Sequence, residues 1–347
     1  MRRVIRRALG AGMLALLLAA TVAVAVAPEG PRLAVAKFSL EARRLELLSV
    51  DQFGAQPFRI AGGGRTAKPL PYPFAFLSWS PDGSQLAFSG FVAGAGQEAP
   101  QLKLYLASAE GGRPSAVPGT VNGFGPVFAP DGRTLAFTRF RERESVTQGK
   151  NGKVRRHRYA SATVWTVDLA TGAQRRLTPW RNGLEHIASS FSPDGSTLLA
   201  TRADARRTGR TEPVALRLDG GPTTRLLVDG LFPVYSPDGT EVAVFREQGE
   251  DSDLFVLDLA SGALRRLTRT PRNVELFASW DPSGERIAFV RFSSAGTEAA
   301  SIGFGDSVMQ VNADGTCPTK TLSAPRTAFL VPAWQPGPGR EAGRIAC

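Results

Sequence analysis

The chemically versatile side chains of this 347-residue chain are few: His157, His186, Cys317 and Cys347 are its only histidines and cysteines. Two histidines on separate segments cannot by themselves supply the clustered ligands of a typical catalytic metal site, so neither a metal nor another cofactor is expected. Glu185-His186 could act as an acid–base or metal-binding pair; a packed or surface histidine is the default. Asp251-x-Asp253 has the spacing of a calcium-loop fragment but lacks the remaining oxygen ligands, which makes it a solvated turn. A hydrolase or lyase would have to draw on scattered acids such as Glu185, Asp229 and Glu275. No Gly-x-Ser-x-Gly pentapeptide occurs, which excludes the usual nucleophile elbow of an α/β-hydrolase.

Arginine is the residue whose spacing repeats. Arg139, Arg202, Arg246 and Arg291 each stand nine residues after the proline of a recurrent turn. Equivalent positions on repeated units fall on a ring, where guanidinium groups would attract carboxylate or phosphate. In the alternative, each arginine stem packs on its neighbour and each head pairs with a local carboxylate or carbonyl. A second basic feature runs from Arg141-Glu142-Arg143-Glu144 through Lys150 and Lys153 to Arg155, Arg156, His157 and Arg158. It reads as a solvated charged loop or as a docking surface for anionic polymers, headgroups or an acidic peptide. The formal charge is +11, and setting aside Arg2, Arg3, Arg6 and Arg7 leaves about +7. That is an ordinary bias with no nucleic-acid-binding motif beside it.

The elements that must position these residues are short strands. Trp79-Ser80-Pro81-Asp82-Gly83 recurs as Phe128-Ala129-Pro130-Asp131-Gly132, Phe191-Ser192-Pro193-Asp194-Gly195 and Tyr235-Ser236-Pro237-Asp238-Gly239. Degenerate copies follow at Trp280-Asp281-Pro282-Ser283-Gly284 and Trp334-Gln335-Pro336-Gly337. The six prolines lie 49, 63, 44, 45 and 54 residues apart, close to the ~40–45 residues of one four-stranded propeller blade plus insertions. Proline sets φ at the turn entrance, aspartate bonds nearby amides, and glycine accepts positive φ. An apolar strand follows each turn, as in Leu86-Ala87-Phe88 and Ile287-Ala288-Phe289, with Arg344-Ile345-Ala346 as the last, shorter version. A second hairpin is clearest from Val164 to Thr178 and from Leu254 to Thr268, with looser copies at 102–118, 213–228 and 307–322.

These motifs resemble the TolB-like β-propeller repeat family, with its WD40-like Pro-Asp-Gly turns, over nearly all of residues 37–347. The resemblance implies an all-β, six-bladed propeller of four-stranded antiparallel blades, without the N-terminal domain of TolB. It implies no single function, because such blades occur in binding proteins and in non-catalytic domains of peptidases. Ring closure is expected from outer strands at 45–50 and 57–60 joined to inner strands at the C-terminus, leaving no free sheet edge. Insertions at 61–75, 90–101, 140–161, 203–212 and 292–306 then crowd one face.

Residues 1–36 read as an export signal or retained membrane anchor: arginines, an apolar run from Ala11 to Ala27, and small-x-small sites at Ala25-Val26-Ala27 and Ala34-Val35-Ala36, the second preferred. No cysteine near the run allows lipid modification, and the arginine pairs match a twin-arginine signal weakly. Export to the periplasm, the exterior or the outer face of the cytoplasmic membrane favours a Cys317–Cys347 disulfide. The functional expectation is a non-enzymatic binding scaffold. Its loop-rich face or channel mouth would hold a protein, a peptide or an anionic envelope polymer through Arg139, Arg202, Arg246, Arg291, Arg155, Arg156, Arg158 and His186. The alternative is a channel-sited hydrolase or lyase.

Overall fold

A computed structural model describes residues 29–41, 44–65, 76–92, 101–148, 154–204, 210–249, 251–293, 305–324 and 326–347. They form twenty-four strands and no helix. Strands β4 (Leu77–Trp79), β5 (Gln85–Val92), β6 (Gln101–Ser108) and β7 (Ser115–Ala116) make one antiparallel sheet in chain order. The next eight follow the same up-and-down path twice. They are β8 (Gly123–Phe128), β9 (Thr134–Gln148), β10 (Val154–Asp168) and β11 (Gln174–Arg176), then β12 (Leu184–Phe191), β13 (Thr197–Asp204), β14 (Thr211–Arg217) and β15 (Thr224–Arg225). A single parallel pair, Ala162 with Glu185, links the two runs. The pattern repeats in β16 (Leu231–Tyr235), β17 (Glu241–Gln248), β18 (Asp251–Asp258) and β19 (Leu264–Arg266), followed by β20 (Asn273–Trp280), β21 (Arg286–Ser293), β22 (Ser307–Asn312) and β23 (Thr319–Ser323), linked by Ser252 with Val274.

Each recurrent turn folds as its residues require. The Ser80 amide bonds Gln85 O and the Gly83 amide bonds Ser80 O, both at 2.8 Å, while the Ser80 hydroxyl donates to Asp82 Oδ1. Ser192/Asp194 and Ser236/Asp238 repeat that bond. Gly83, Gly132, Gly195 and Gly239 have φ between 65° and 75°, a region that a side chain penalises. Successive turns also nest. A Cβ on Gly132 would meet Pro81, one on Gly195 would meet Pro130, one on Gly239 would meet Pro193, and one on Gly83 would strike the carbonyl oxygen of Pro336. The motif aromatics join neighbouring units: the Trp79 indole donates to Ala333 O at 3.1 Å and the Trp280 indole to Val234 O at 3.2 Å.

Both chain ends enter one sheet, ordered β24 (Thr327–Trp334), β1 (Arg32–Ser39), β2 (Arg44–Asp51) and β3 (Phe58–Arg65). This differs from the expected two-plus-two arrangement. Three strands come from the N-terminal side, and β1, not 45–50, pairs with β24. Leu33, Ala34, Val35 and Ala36 are each 0% exposed, so a boundary after Ala36 would cut through a buried strand. An apolar run that ends a signal and one that fills a core strand look alike in sequence. Arg32 anchors the strand through Ser49 Oγ and the carbonyls of Ser49 and Gln56. Arg344-Ile345-Ala346 forms no strand. The apolar run 11–27 lies outside the described residues; among those, no helix is long and apolar enough to cross a membrane.

The 140–161 insertion is likewise not an irregular loop. β9 and β10 stay paired from Thr134/Asp168 to Gln148/Val154, so their backbones extend as one long hairpin in which Arg155, Arg156, His157 and Arg158 stand opposite Thr147, Val146, Ser145 and Glu144. The side chains of those four residues lie outside the described residues.

Candidate functional site

The innermost strands carry a shared irregularity. Register shifts fall between Phe124 and Val127, Ala188 and Ser190, Leu231 and Val234, and Leu276 and Ser279. Such bulges re-aim side chains. Gly125, Phe232, Phe277 and Val331 consequently adopt φ of 62°, 48°, 66° and 22°; the three with side chains are in a strained region. Hydroxyls on the adjacent strands hold these bulges. Ser89 Oγ accepts from Gly125 N at 3.1 Å, Thr138 Oγ1 from Ala188 N at 3.0 Å, and Thr201 Oγ1 from Phe232 N at 2.8 Å.

Between the bulges and the motif turns lies a central cavity of about 440 Å³. Phe76, Phe232 and Phe277 cluster at the bulge level, with ring centroids 6.0, 5.4 and 4.8 Å apart. Pro81, Pro130, Pro193, Pro237 and Pro336 line the other end, with serines and the motif aromatics between. Among the described residues, no Asp, Glu, Lys, Arg or His lines it. Several of its serines are committed to holding neighbouring units: Ser78 Oγ accepts from Phe128 N, Ser190 Oγ from Tyr235 N, and Ser279 Oγ from Trp334 N. Burial raises the Tyr235 phenol, with Asp194 adding to the effect. Such a lining can hold an apolar group and offer hydrogen bonds, and among the described residues the Tyr235 phenol is its one titratable side chain. Sequence reading missed this site, although a signal was present: Pro126, Pro233 and Pro332 each stand four residues before a motif proline, where an inner strand cannot continue its ladder regularly.

Of the arginines expected to form a ring, Arg202, Arg246 and Arg291 lie toward the far ends of β13, β17 and β21 and Arg139 lies midway along β9, and they engage groups of their own surroundings. Arg139 stacks 4.4 Å from the Trp165 ring centroid and donates to Gly119 O and Gln174 Oε1. Arg202 pairs with Glu212, Arg291 with Glu275 at 2.7 Å, and Arg246 lies 5.5 Å from the Phe255 centroid. None of the four lines the central cavity. Arg291 borders a separate polar cavity with Asn273, Asp306 and Lys320.

The candidate acids do not converge on the cavity either. Asp229 is part-exposed and 3.9 Å from Arg210. Burial raises the Glu185 carboxyl. Glu275 is fully buried, and burial raises it against hydrogen bonds from Thr268, Arg291 and Thr270. Asp253, read from the sequence as part of a solvated turn, instead sits buried in β18, paired with Arg266 and accepting from Thr270 N at 3.1 Å. The Arg266 guanidinium balances its charge, and Thr268 and Thr270 donate hydrogen bonds to it. His186 is 6% exposed, and burial, helped by Arg202 and Arg181, lowers its pKa to about 4. Among the described residues, no group of three His, Cys, Asp or Glu is placed to hold a metal.

Cys317 and Cys347 form the expected disulfide, with Cα atoms 5.4 Å apart. It fastens a C-terminal strap that also bonds Asn312 through Ile345 N and O, and Asp281 Oδ2 through the amides of Ala342 and Gly343. The fifth motif is degenerate for this reason. Asp281 in the usual serine position reaches both its own turn, at Arg286 N, and the strap.

No protein-family pattern and no curated protein matches the chain. Solved structures do. TolB from Acinetobacter baumannii superimposes with a TM-score of 0.65 at 22% identity, over 88% of this chain and 67% of that one. A protein assigned as TolB from Agrobacterium tumefaciens gives 0.56 at 17% identity, over 88% and 99% of the two chains. A chain of a nidogen/laminin complex gives 0.56 at 11% identity, over 88% and 98%. With the strand order and the recurrent turns, these likenesses establish the fold as an all-β propeller of the TolB-like type.

Proposed function

We propose that this protein is an exported, non-enzymatic binding scaffold that holds a protein or peptide partner at the motif-turn mouth of its central cavity. In this reading, six four-stranded blades close into a ring through β24 and β1. The export segment, if removed, is cut at Ala25-Val26-Ala27, which leaves β1 intact. The disulfide suits an oxidising compartment. The observation that carries the binding reading is the cavity lining: an aromatic, proline and serine wall with no charged side chain among the described residues. A hydrolase or lyase would need acids facing its substrate, whereas Glu185, Asp229 and Glu275 are absent from that wall. The arginines of the loop-rich face support an anionic partner less well, because Arg139, Arg202 and Arg291 already bond groups beside them.

The test is capture from envelope extract by the tagged protein and by Ser189→Trp, which places an indole in the cavity without removing a bond to another unit. A partner retained by the wild type and lost by a variant of unchanged melting temperature supports the reading. Equal capture by both would overturn it.

A further inference from the structure

The mouth of the central cavity has a charge pattern that its neutral wall does not. Asp82, Asp131, Asp194 and Asp238 each follow a proline that lines the cavity, and all four are exposed. The turns hold them ionised. Hydrogen bonds from Ser80, Ser192 and Ser236, followed by backbone amides, keep Asp82, Asp194 and Asp238 below the ordinary carboxylate range. For Asp131, partial burial pushes upward, and the amides of Thr134 and Arg133 outweigh it. Arg133, the nearest cation in sequence, turns to Asp168, 2.6 Å away. The mouth is thus a neutral, aromatic well beneath several carboxylates at matching positions. Charges placed around one opening add their fields.

From this juxtaposition we infer that the well takes a polypeptide segment in which an uncharged, apolar side chain is flanked by lysine or arginine. The inference rests on the binding reading above and supplies the chemistry of its partner. The apolar side chain enters among Phe76, Phe232 and Phe277, while the flanking cations remain at the rim near the aspartates. An acidic segment would meet like charge at the same rim, and nothing in the wall would neutralise it.

Two capped, dye-labelled peptides, Lys-Pro-Trp-Pro-Lys and Glu-Pro-Trp-Pro-Glu, test this by fluorescence polarisation against the purified full chain. The lysine peptide should bind roughly tenfold tighter in about 20 mM salt, with the ratio falling toward one in about 500 mM. Ser189→Trp should abolish binding, and combining Asp82→Asn with Asp194→Asn should reduce the ratio to about threefold. Equal affinity of the two peptides would overturn the inference and point to an uncharged occupant; this comparison needs no variant to fold. Binding of the lysine peptide that survives Ser189→Trp would overturn it as surface adsorption. Failure of both peptides to bind, with envelope capture still sensitive to Ser189→Trp, would overturn the inference while leaving the binding reading intact.

Discussion

His186 and Glu275 both stand seven residues before a motif proline, and each lies opposite an arginine of the next strand, Arg202 and Arg291. Glu275 takes its arginine as a partner. His186 does not, because Arg202 turns to Glu212, and the buried Nδ1 has no hydrogen-bond partner among the described residues. With a folded pKa of about 4 against ~6.5 unfolded, the unfolded chain binds the extra proton between those values. This group's contribution therefore favours folding above pH 6.5 and is lost as pH falls toward 4, by up to about 3 kcal/mol. Glu185 and Glu275, raised by burial, slope the other way, so the informative quantity is a difference. Urea melts of wild type and His186→Leu across pH 4–7 should give a stability gap that shifts in the variant's favour as pH falls. A gap independent of pH would show that the imidazole titrates normally. Gly83 offers a sharper steric case: a Cβ there lies 2.2 Å from the Pro336 carbonyl oxygen at φ +70°, whereas Gly172, at φ +71°, has nothing within 4 Å. Gly172→Ala should cost about 1 kcal/mol, the left-handed penalty alone, and Gly83→Ala at least twice that, read as denaturation midpoints.

Among the elements, the hairpins of the first five motifs were legible in sequence, because a five-residue turn contains its own reasons, whereas the sixth copy at Trp334-Gln335-Pro336-Gly337 is followed by no strand. Ser80, Pro81, Asp82 and Gly83 make bonds and torsions to one another. Elements whose reasons lie elsewhere in the chain were harder to see. β1 is a strand because of Trp334 and Ala333, some three hundred residues away, and nothing local separates it from the tail of a signal. The inner bulges depend on hydroxyls of neighbouring units, so only the prolines at 126, 233 and 332 announced them. The Cys317–Cys347 pairing was legible from the count and from the export that the sequence leads one to expect, but the strap it fastens was not, since Asp281 looked like motif decay. The strap makes a prediction at this scale. Cys347→Ser opens a loop of about thirty residues, for which chain entropy suggests roughly 3–4 kcal/mol. Asp281→Ser restores the common motif yet removes the acceptor of two strap amides. Both variants should lower the melting temperature and expose the last residues to carboxypeptidase; Asp281→Ser behaving as wild type would mean that the disulfide and the Asn312 and Arg286 bonds hold the strap without it.

At the scale of the whole molecule, stability depends on one seam. Every other unit is built from consecutive strands, but the unit containing β24 must recruit β1 to β3 from the far end of the chain. Across the next junction, β24 reaches the β4 turn through the Trp79 indole and through Gln335 Nε2 on Gly83 O. Losing the seam would expose an inner strand edge on one side and strip β24 of its core contacts on the other. Leu33, Ala34, Val35 and Ala36 are wholly buried, and burying two large and two small apolar side chains contributes on the order of 5–8 kcal/mol. That is comparable with the entire stability of a typical domain, about 5–15 kcal/mol. A chain beginning at Pro28 should therefore unfold in one cooperative transition. A chain beginning at Lys37 keeps all four recurrent Pro-Asp-Gly turns, yet it should melt at least 15 °C lower or without cooperativity, and show strong dye binding from exposed apolar surface. Calorimetry of the two truncations decides the matter. Equal transitions would mean that β1 is dispensable and that the ring, if it closes, does so without its seam strand.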